Sequence, residues 1–223
     1  MATFENRVSA GIALAQRLAA YRAQKPIVLG LPRGGVPVAY QVARALDAPL
    51  DVCVVRKVGV PWHPELGVGA VAEGGLVYLN RDIMSNLQLT EEGLTDIIRR
   101  EQSEVTQRIQ RFRGNHPRPP LKDRTLIVVD DGIAMGGTVR AAIASLRQER
   151  PKAIVLAVPV VAADVARALQ YEVDELVALS TPHNLYAIGL WYEDFSQVPD
   201  EEVVRLLEMA RREQQTSTAE VSP

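Results

Sequence analysis

Two adjacent carboxylates, Asp130 and Asp131, follow the apolar run Leu126-Ile127-Val128-Val129 and precede Gly132-Ile133-Ala134-Met135-Gly136-Gly137-Thr138. The apolar run reads as a buried strand, which puts the acid pair at its carboxyl end. Ligands in open α/β sheets bind at that end. The glycines and Thr138 open a helix, and a helix amino terminus beside glycine offers free backbone N–H groups to an anion. Thr138 adds a hydroxyl, so this segment predicts a monophosphate site. Two carboxylates next to a phosphate repel it unless something sits between them. A sugar diol can donate hydrogen bonds to both, and a divalent metal can neutralise them while bridging to a second phosphate. The glycine spacing is wrong for a Walker loop, and no lysine precedes Thr138.

A second glycine loop, Gly30-Leu31-Pro32-Arg33-Gly34-Gly35, also follows an apolar run. Its glycines let backbone approach a ligand closely, and Arg33 can grip phosphate oxygens through two N–H groups. Arg56 and Lys57 end the apolar run at 50–55 and place two more cations at a strand end. Between residues 57 and 80 the carboxylates are Glu65 and Glu73, and either can serve as an acid or base; His63 is a weaker candidate. The match Gly67-Val68-Gly69-Ala70-Val71-Ala72 follows a proline-rich loop instead of a strand, which speaks against a dinucleotide site. His63, His116 and His183 lack ligand-like spacing, so no zinc site is predicted.

The elements that must hold these residues follow from periodicity. Residues 5–23 carry apolar positions at helical spacing, 27–29 read as a strand, 37–46 as a helix and 50–55 as a second strand. Residues 56–75, rich in Gly and Pro, read as a long loop with a short hairpin at 69–79. A long helix is predicted over 91–112, with Arg99, Arg100, Arg108 and Arg111 on a solvated face. A linker at 114–120 precedes a strand at 125–130, a helix at 138–149, a strand at 153–158, a helix at 162–170 and a strand at 175–179. This alternation implies a parallel sheet with helices on both faces. The expected organisation is one domain over 1–212, with a core at about 25–180, a helical insertion at about 80–115, an aromatic segment at 181–199 and a disordered tail at 213–223.

The 223 residues carry a net charge of −2, so no basic face for nucleic acid is implied. No uncharged apolar run reaches the roughly 20 residues of a membrane span. Glu5, Arg7 and Arg17 interrupt the first apolar stretch, unlike a secretory signal. The single cysteine, Cys53, cannot form an intrachain disulfide and suits a reducing cytoplasm.

Residues 126–138 resemble the 5-phosphoribosyl-1-pyrophosphate (PRPP) signature of type I phosphoribosyltransferases, and the resemblance extends over about 25–195. It implies that family's fold: a Rossmann-like parallel sheet flanked by helices, with a small C-terminal hood at about 181–199. It implies transfer of a phosphoribosyl group from PRPP to a nucleobase, with Mg²⁺ and release of pyrophosphate. By this similarity Asp130 and Asp131 take the ribose diol and touch the metal only through ribose or water. Ala134, Met135, Gly136, Gly137 and Thr138 take the 5′-phosphate, and Arg33, Gly34 and Gly35 the pyrophosphate. Arg56 and Lys57 assist, and the loop after them resembles the family's catalytic loop. In the hood, Tyr186 resembles the aromatic that stacks on a purine, Ala187 would read the base edge, and Trp191 lies beside them or belongs to the core of a small subdomain. Two departures weigh on activity: Met135 stands where many members have Thr, and Ala134 where the hypoxanthine-guanine branch has Asp. A catalytically silent PRPP- or nucleotide-binding domain and a phosphohydrolase on the same scaffold are the competing readings. Family members are often homodimers.

Overall fold

The computed structural model describes residues 4–60 and 62–220, without the side chains of 64, 65 and 217–220. The chain runs through α1 (Arg7–Arg17), β1 (Ile27–Gly30), α2 (Gly35–Leu46), β2 (Leu50–Val52), β3 (Val55–Val60), β4 (His63–Ala72), β5 (Val77–Leu79), α3 (Arg81–Asn86) and α4 (Glu91–Arg113). It continues with β6 (Thr125–Val129), α5 (Gly137–Gln148), β7 (Ala153–Val160), α6 (Ala163–Leu169), β8 (Glu175–Ser180) and α7 (Asp200–Glu220).

Five strands form a parallel sheet in the order β2-β1-β6-β7-β8. The side chains of β1, β2 and β6 and nearly all of β7 are buried on both faces, which is why those sequence runs are continuous rather than alternating, while the edge strand β8 is mostly half-buried. Val28, Ile127, Val129, Val155 and Ala157 face one core with α1, α2 and α7. Ile27, Leu29, Leu126, Val128, Ile154 and Leu156 face the other with α5 and α6. From β1 the chain moves outward to β2; from β6 it moves the opposite way through β7 to β8. The order therefore reverses between β1 and β6. Their carboxyl ends open the crevice in which such sheets bind ligands, and both glycine loops lie there.

Three expectations are corrected. The apolar run 50–55 is not one strand: β2 ends at Val52, Cys53 donates its backbone N–H to Gly30 at 3.0 Å, and Val55 begins a different sheet. The segment 56–75 is not a long loop, because β3, β4 and β5 form a three-stranded antiparallel sheet. Val58, Val60, Val68 and Val71 fill the core beneath it. Its glycines mark close backbone approach, not disorder: a Cβ on Gly69 would meet the Tyr78 carbonyl oxygen at 2.2 Å. Finally, helix α7 continues past 212 to Glu220, leaving no disordered tail from 213 among the described residues. Val203, Leu206, Leu207 and Ala210 bury its first half, and Tyr40 donates to Glu213 at 2.7 Å beyond it.

Around the hood, the backbones of Phe4 and Tyr192 form a parallel bridge, and Phe4, Ala10 and Tyr192 make a third buried cluster with Trp191 and Phe195 packed against it. The amino-terminal segment and the hood are thus one unit. Among the described residues no helix is long and apolar enough to cross a membrane.

Candidate active site

The loop between β6 and α5 is pinned where it leaves the sheet. Ile133 is buried, donates to the Val160 carbonyl at 2.9 Å and accepts from Ala162 at 3.0 Å. Gly136 has φ +76°, a left-handed conformation that favours glycine. It stands at the N-cap of α5 with no side-chain cap, so the first helical N–H groups are left for an anion. A Cβ on Gly137 would meet nothing within 4 Å. Ala134, Met135, Gly136, Gly137 and Thr138 line a cavity of about 630 Å³ together with Asp130 and Lys57. Six expected residues of the phosphate and diol site are therefore brought to one cavity, and Lys57 joins them from β3. Met135 is 81% exposed at the loop crest.

The acid pair splits. Asp130 faces this cavity, and its Oδ1 accepts the Asp131 backbone N–H at 2.9 Å. Burial and the neighbouring negative charge of Asp131 push its carboxyl well above the usual range. The carboxylate of Asp131 is buried under the other glycine loop: a Cβ on Gly34 would sit 2.0 Å from its Oδ2. The same oxygen accepts from Arg7 Nε at 2.7 Å, both side chains being nearly buried. Arg7 Nη1 donates to the Ser196 carbonyl at 2.8 Å, and its guanidinium lies 3.9 Å from the Phe195 ring centroid. Tyr192 donates its hydroxyl to the Asp131 carbonyl at 2.6 Å; burial and the nearby Asp131 charge push that phenol up. Sequence reasoning missed Arg7 and the role of Tyr192. Their meeting depends on a bridge between residues 188 positions apart, and no local pattern announces it.

The β1 loop packs against β6 as its glycines require, with a Gly35 Cβ landing 2.6 Å from the Val129 carbonyl oxygen. The Pro32–Arg33 peptide is cis. Arg33 points toward Asp200 at the start of α7, 3.6 Å away, and does not line the cavity at the β6–α5 loop. Arg56 does not end a strand of the parallel sheet; it lies in β3, and its Nε donates to Glu101 Oε2 at 2.8 Å. Arg100 donates to the other Glu101 oxygen at 3.0 Å. The Glu101 carboxyl, although raised by burial, is held below its ordinary value by these two guanidiniums.

Other candidates are not brought here. Glu73 forms a bidentate pair with Arg113 and reaches Arg118 at 3.4 Å, so it is locked in a network with Asp51 away from the cavity. The Glu65 side chain lies outside the described residues. His63 is exposed at the β3–β4 turn and accepts from the Leu66 N–H at 3.2 Å. Tyr186, 87% exposed, and Ala187 do not line the cavity. Trp191 packs into the hood cluster, which favours the subdomain-core alternative. The hood still touches the site, since a Cβ on Gly132 would meet Ile188 at 2.5 Å. Cys53 is buried, its thiol pushed up to about 12 by burial, which leaves it inert as a nucleophile. Among the described residues no three His, Cys, Asp or Glu side chains gather to hold a metal. A larger cleft of about 790 Å³ beside Pro49, Asp51 and Arg211 contains none of the candidate residues.

Comparison with known proteins agrees with this geometry. The family model described as phosphoribosyl transferase domain matches residues 5–185. Counterparts in two strains of Mycobacterium tuberculosis, provisionally named phosphoribosyl transferases, are 44% identical over 213 residues, covering 96% of this chain and 48% of theirs. The chain thus spans about half the length of these curated relatives. The crystal structure of TT1426 from Thermus thermophilus superposes with a TM-score of 0.84 at 40% identity, covering 93% of this chain and 98% of that one. The matched span holds both glycine loops and the acid pair and stops short of the exposed Tyr186, and by that match the chain belongs to the phosphoribosyl transferase domain family.

Proposed function

We propose that the chain binds PRPP and transfers its 5-phosphoribosyl group to a nucleobase, with a purine as the favoured class, releasing pyrophosphate. The observation that carries this reading is one cavity at the switch point holding both the uncapped amino end of α5 and the carboxyl of Asp130. The backbone N–H groups at 136–138 and the Thr138 hydroxyl take the 5′-phosphate. Asp130 accepts from a ribose hydroxyl. Asp131, held by Arg7 and Tyr192, fixes the backbone from which Asp130 projects. Lys57 meets the negative charge of the diphosphate. Anchoring the phosphate and diol orients C1 for displacement through an oxocarbenium-like transition state, so most of the catalysis is positioning.

The donor set fits a Mg²⁺ that arrives with the diphosphate. Such an ion keeps several waters and needs only one or two carboxylates; Asp130, which faces the cavity, would hold it through ribose or water, with Asp131 behind it. When bound, the metal neutralises leaving-group charge. Tyr186, followed three residues later by Gly189, supports the purine assignment, although its exposure requires the hood loop to fold over a bound base. The lone buried thiol suits a cytoplasmic setting.

A second reading, a PRPP-binding domain without turnover, is favoured by specific contacts. Arg33 and Arg56 are already paired with Asp200 and Glu101, and Glu73 is withdrawn from the cavity. Pyrophosphate release from PRPP and Mg²⁺, assayed base by base, decides between the readings. Release with one base and not without it establishes the transferase and names its acceptor. Release without any base indicates a hydrolase. Binding of PRPP without release selects the binding domain.

A further inference from the structure

Helix α4 belongs to the insertion and lies over β3 and β4. Residues 97, 100, 101, 104, 108 and 111 follow the three- and four-residue spacing that puts side chains on one helical face. That face does not look only to solvent. A cleft of about 690 Å³ opens between it and β3, lined by Arg56, Lys57, Arg100, Glu101, Arg108 and Thr138. It shares Lys57 and Thr138 with the cavity at the β6–α5 loop, so the two adjoin. It also reaches Pro32 of the other glycine loop.

The charge in this cleft is lopsided. Among the described lining residues, Arg56, Lys57, Arg100 and Arg108 stand with one carboxylate, Glu101, in a chain whose overall charge is −2. Both oxygens of Glu101 are taken, one by Arg56 and one by Arg100. Arg108 is half-buried; the charge of Asp200 acts on it, but that carboxylate is bound directly by Arg111 and lies 3.6 Å from Arg33. Arg108 also lines an adjoining recess of about 470 Å³ with Arg33 and Arg111, whose shared partner is Asp200. Glu104 stands at that recess as well. Clustered cations in a cleft raise the local concentration of anions, and guanidinium suits phosphate oxygens.

We propose that Arg108 of the inserted helix is an anion ligand of this cleft, forming with Lys57 a second wall for a condensed phosphate, the diphosphate of PRPP or free pyrophosphate. The proposal rests on the phosphoribosyl reading of the adjoining loop and adds to it a residue from outside the parallel-sheet core. Arg108 is a binding and positioning residue, since it stands off from the sugar site of Asp130.

Calorimetric titration of the whole chain with PRPP, inorganic pyrophosphate and ribose 5-phosphate, each with Mg²⁺, tests it in the wild type, Arg108→Gln and Arg108→Lys. Losing one charged hydrogen bond is expected to weaken PRPP and pyrophosphate about tenfold or more. Ribose 5-phosphate should stay within about twofold, and Arg108→Lys should recover part of the loss. Equal weakening of all three ligands, or no change in any, overturns the proposal. If the wild type binds pyrophosphate with this Arg108 dependence but not ribose 5-phosphate, the anion wall stands and the phosphoribosyl reading falls. If it binds none of the three, both fall together.

Discussion

Gly34 and Arg7 grip one carboxylate from two sides, and each makes a sharp prediction. Gly34 lies so close to Asp131 that a Cβ would sit 2.0 Å from Oδ2 and 2.6 Å from Cγ. Gly34→Ala must therefore push the carboxylate off Arg7. We expect PRPP affinity to fall at least about tenfold with the circular dichroism spectrum unchanged; unaltered affinity would mean that the placement of Asp131 is irrelevant to the site. Arg7→Gln removes one charge of a nearly buried pair, worth about 1.5–3 kcal/mol for a hydrogen bond to a charged group. At about 2–4 °C per kcal/mol for a chain of this size, the melting temperature should drop by roughly 3–12 °C. A variant that melts like the wild type would show that the Arg7–Asp131 contact contributes nothing to the fold. At this scale the acid pair, the glycines and Thr138 were legible, because a strand end followed by glycine and a helix start is a local pattern. Arg7 was not, because its partner is 124 positions away.

Helix α4 is tied to β3 through Glu101, and that tie has a pH signature. The folded carboxyl lies below its ordinary value of 4.5, although burial alone would raise it, because Arg56 and Arg100 stabilise the charged form. A depressed acid contributes stability that is full above the unfolded value and lost as pH falls through the lower folded value. The stability difference between wild type and Glu101→Gln, followed by urea midpoints, should thus be constant above about pH 5 and shrink progressively as the pH falls below the ordinary carboxyl range. The size should be on the order of 1 kcal/mol, since Arg100 is largely exposed and Arg56 partly so. A difference that grows on acidification would contradict the assignment. The helix itself was readable from its apolar stripe. What its arginines face was not: periodicity separates an apolar from a polar stripe, but it cannot say that the polar stripe borders a cleft.

Across the whole molecule, a buried network clamps the antiparallel sheet to the edge of the parallel one. Arg113, 4% exposed at the end of α4, pairs with Asp51 of β2 at 3.0 Å and with Glu73 after β4; Arg118 joins Glu73 to Glu149 at the end of α5. Removing the central cation strands Asp51 in the core, and breaking such a pair costs about 3–5 kcal/mol. Arg113→Met should lower the melting temperature by roughly 6–20 °C. PRPP affinity at low temperature should hardly change, because the network lies away from the phosphate loop. Loss of PRPP binding in a folded Arg113→Met protein would instead couple this clamp to the site.

By itself the sequence determined the parallel sheet, its helices and the glycine loop that leads from β6 into α5. These rest on continuous apolar runs, helical spacing and glycines at strand ends, all read within a few residues of one another. It misjudged residues 56–75, where glycines that permit close strand crossing look the same on paper as glycines that permit a mobile loop. Tertiary structure alone decided that distinction through the buried valines of β3 and β4. It alone turned Asp131 inward to Arg7, drew Glu73 into a distant ion network and faced Arg108 onto the cleft. Charged side chains find partners by proximity in space, and one-dimensional spacing carries no record of which strand, helix or hood segment will bring that partner near.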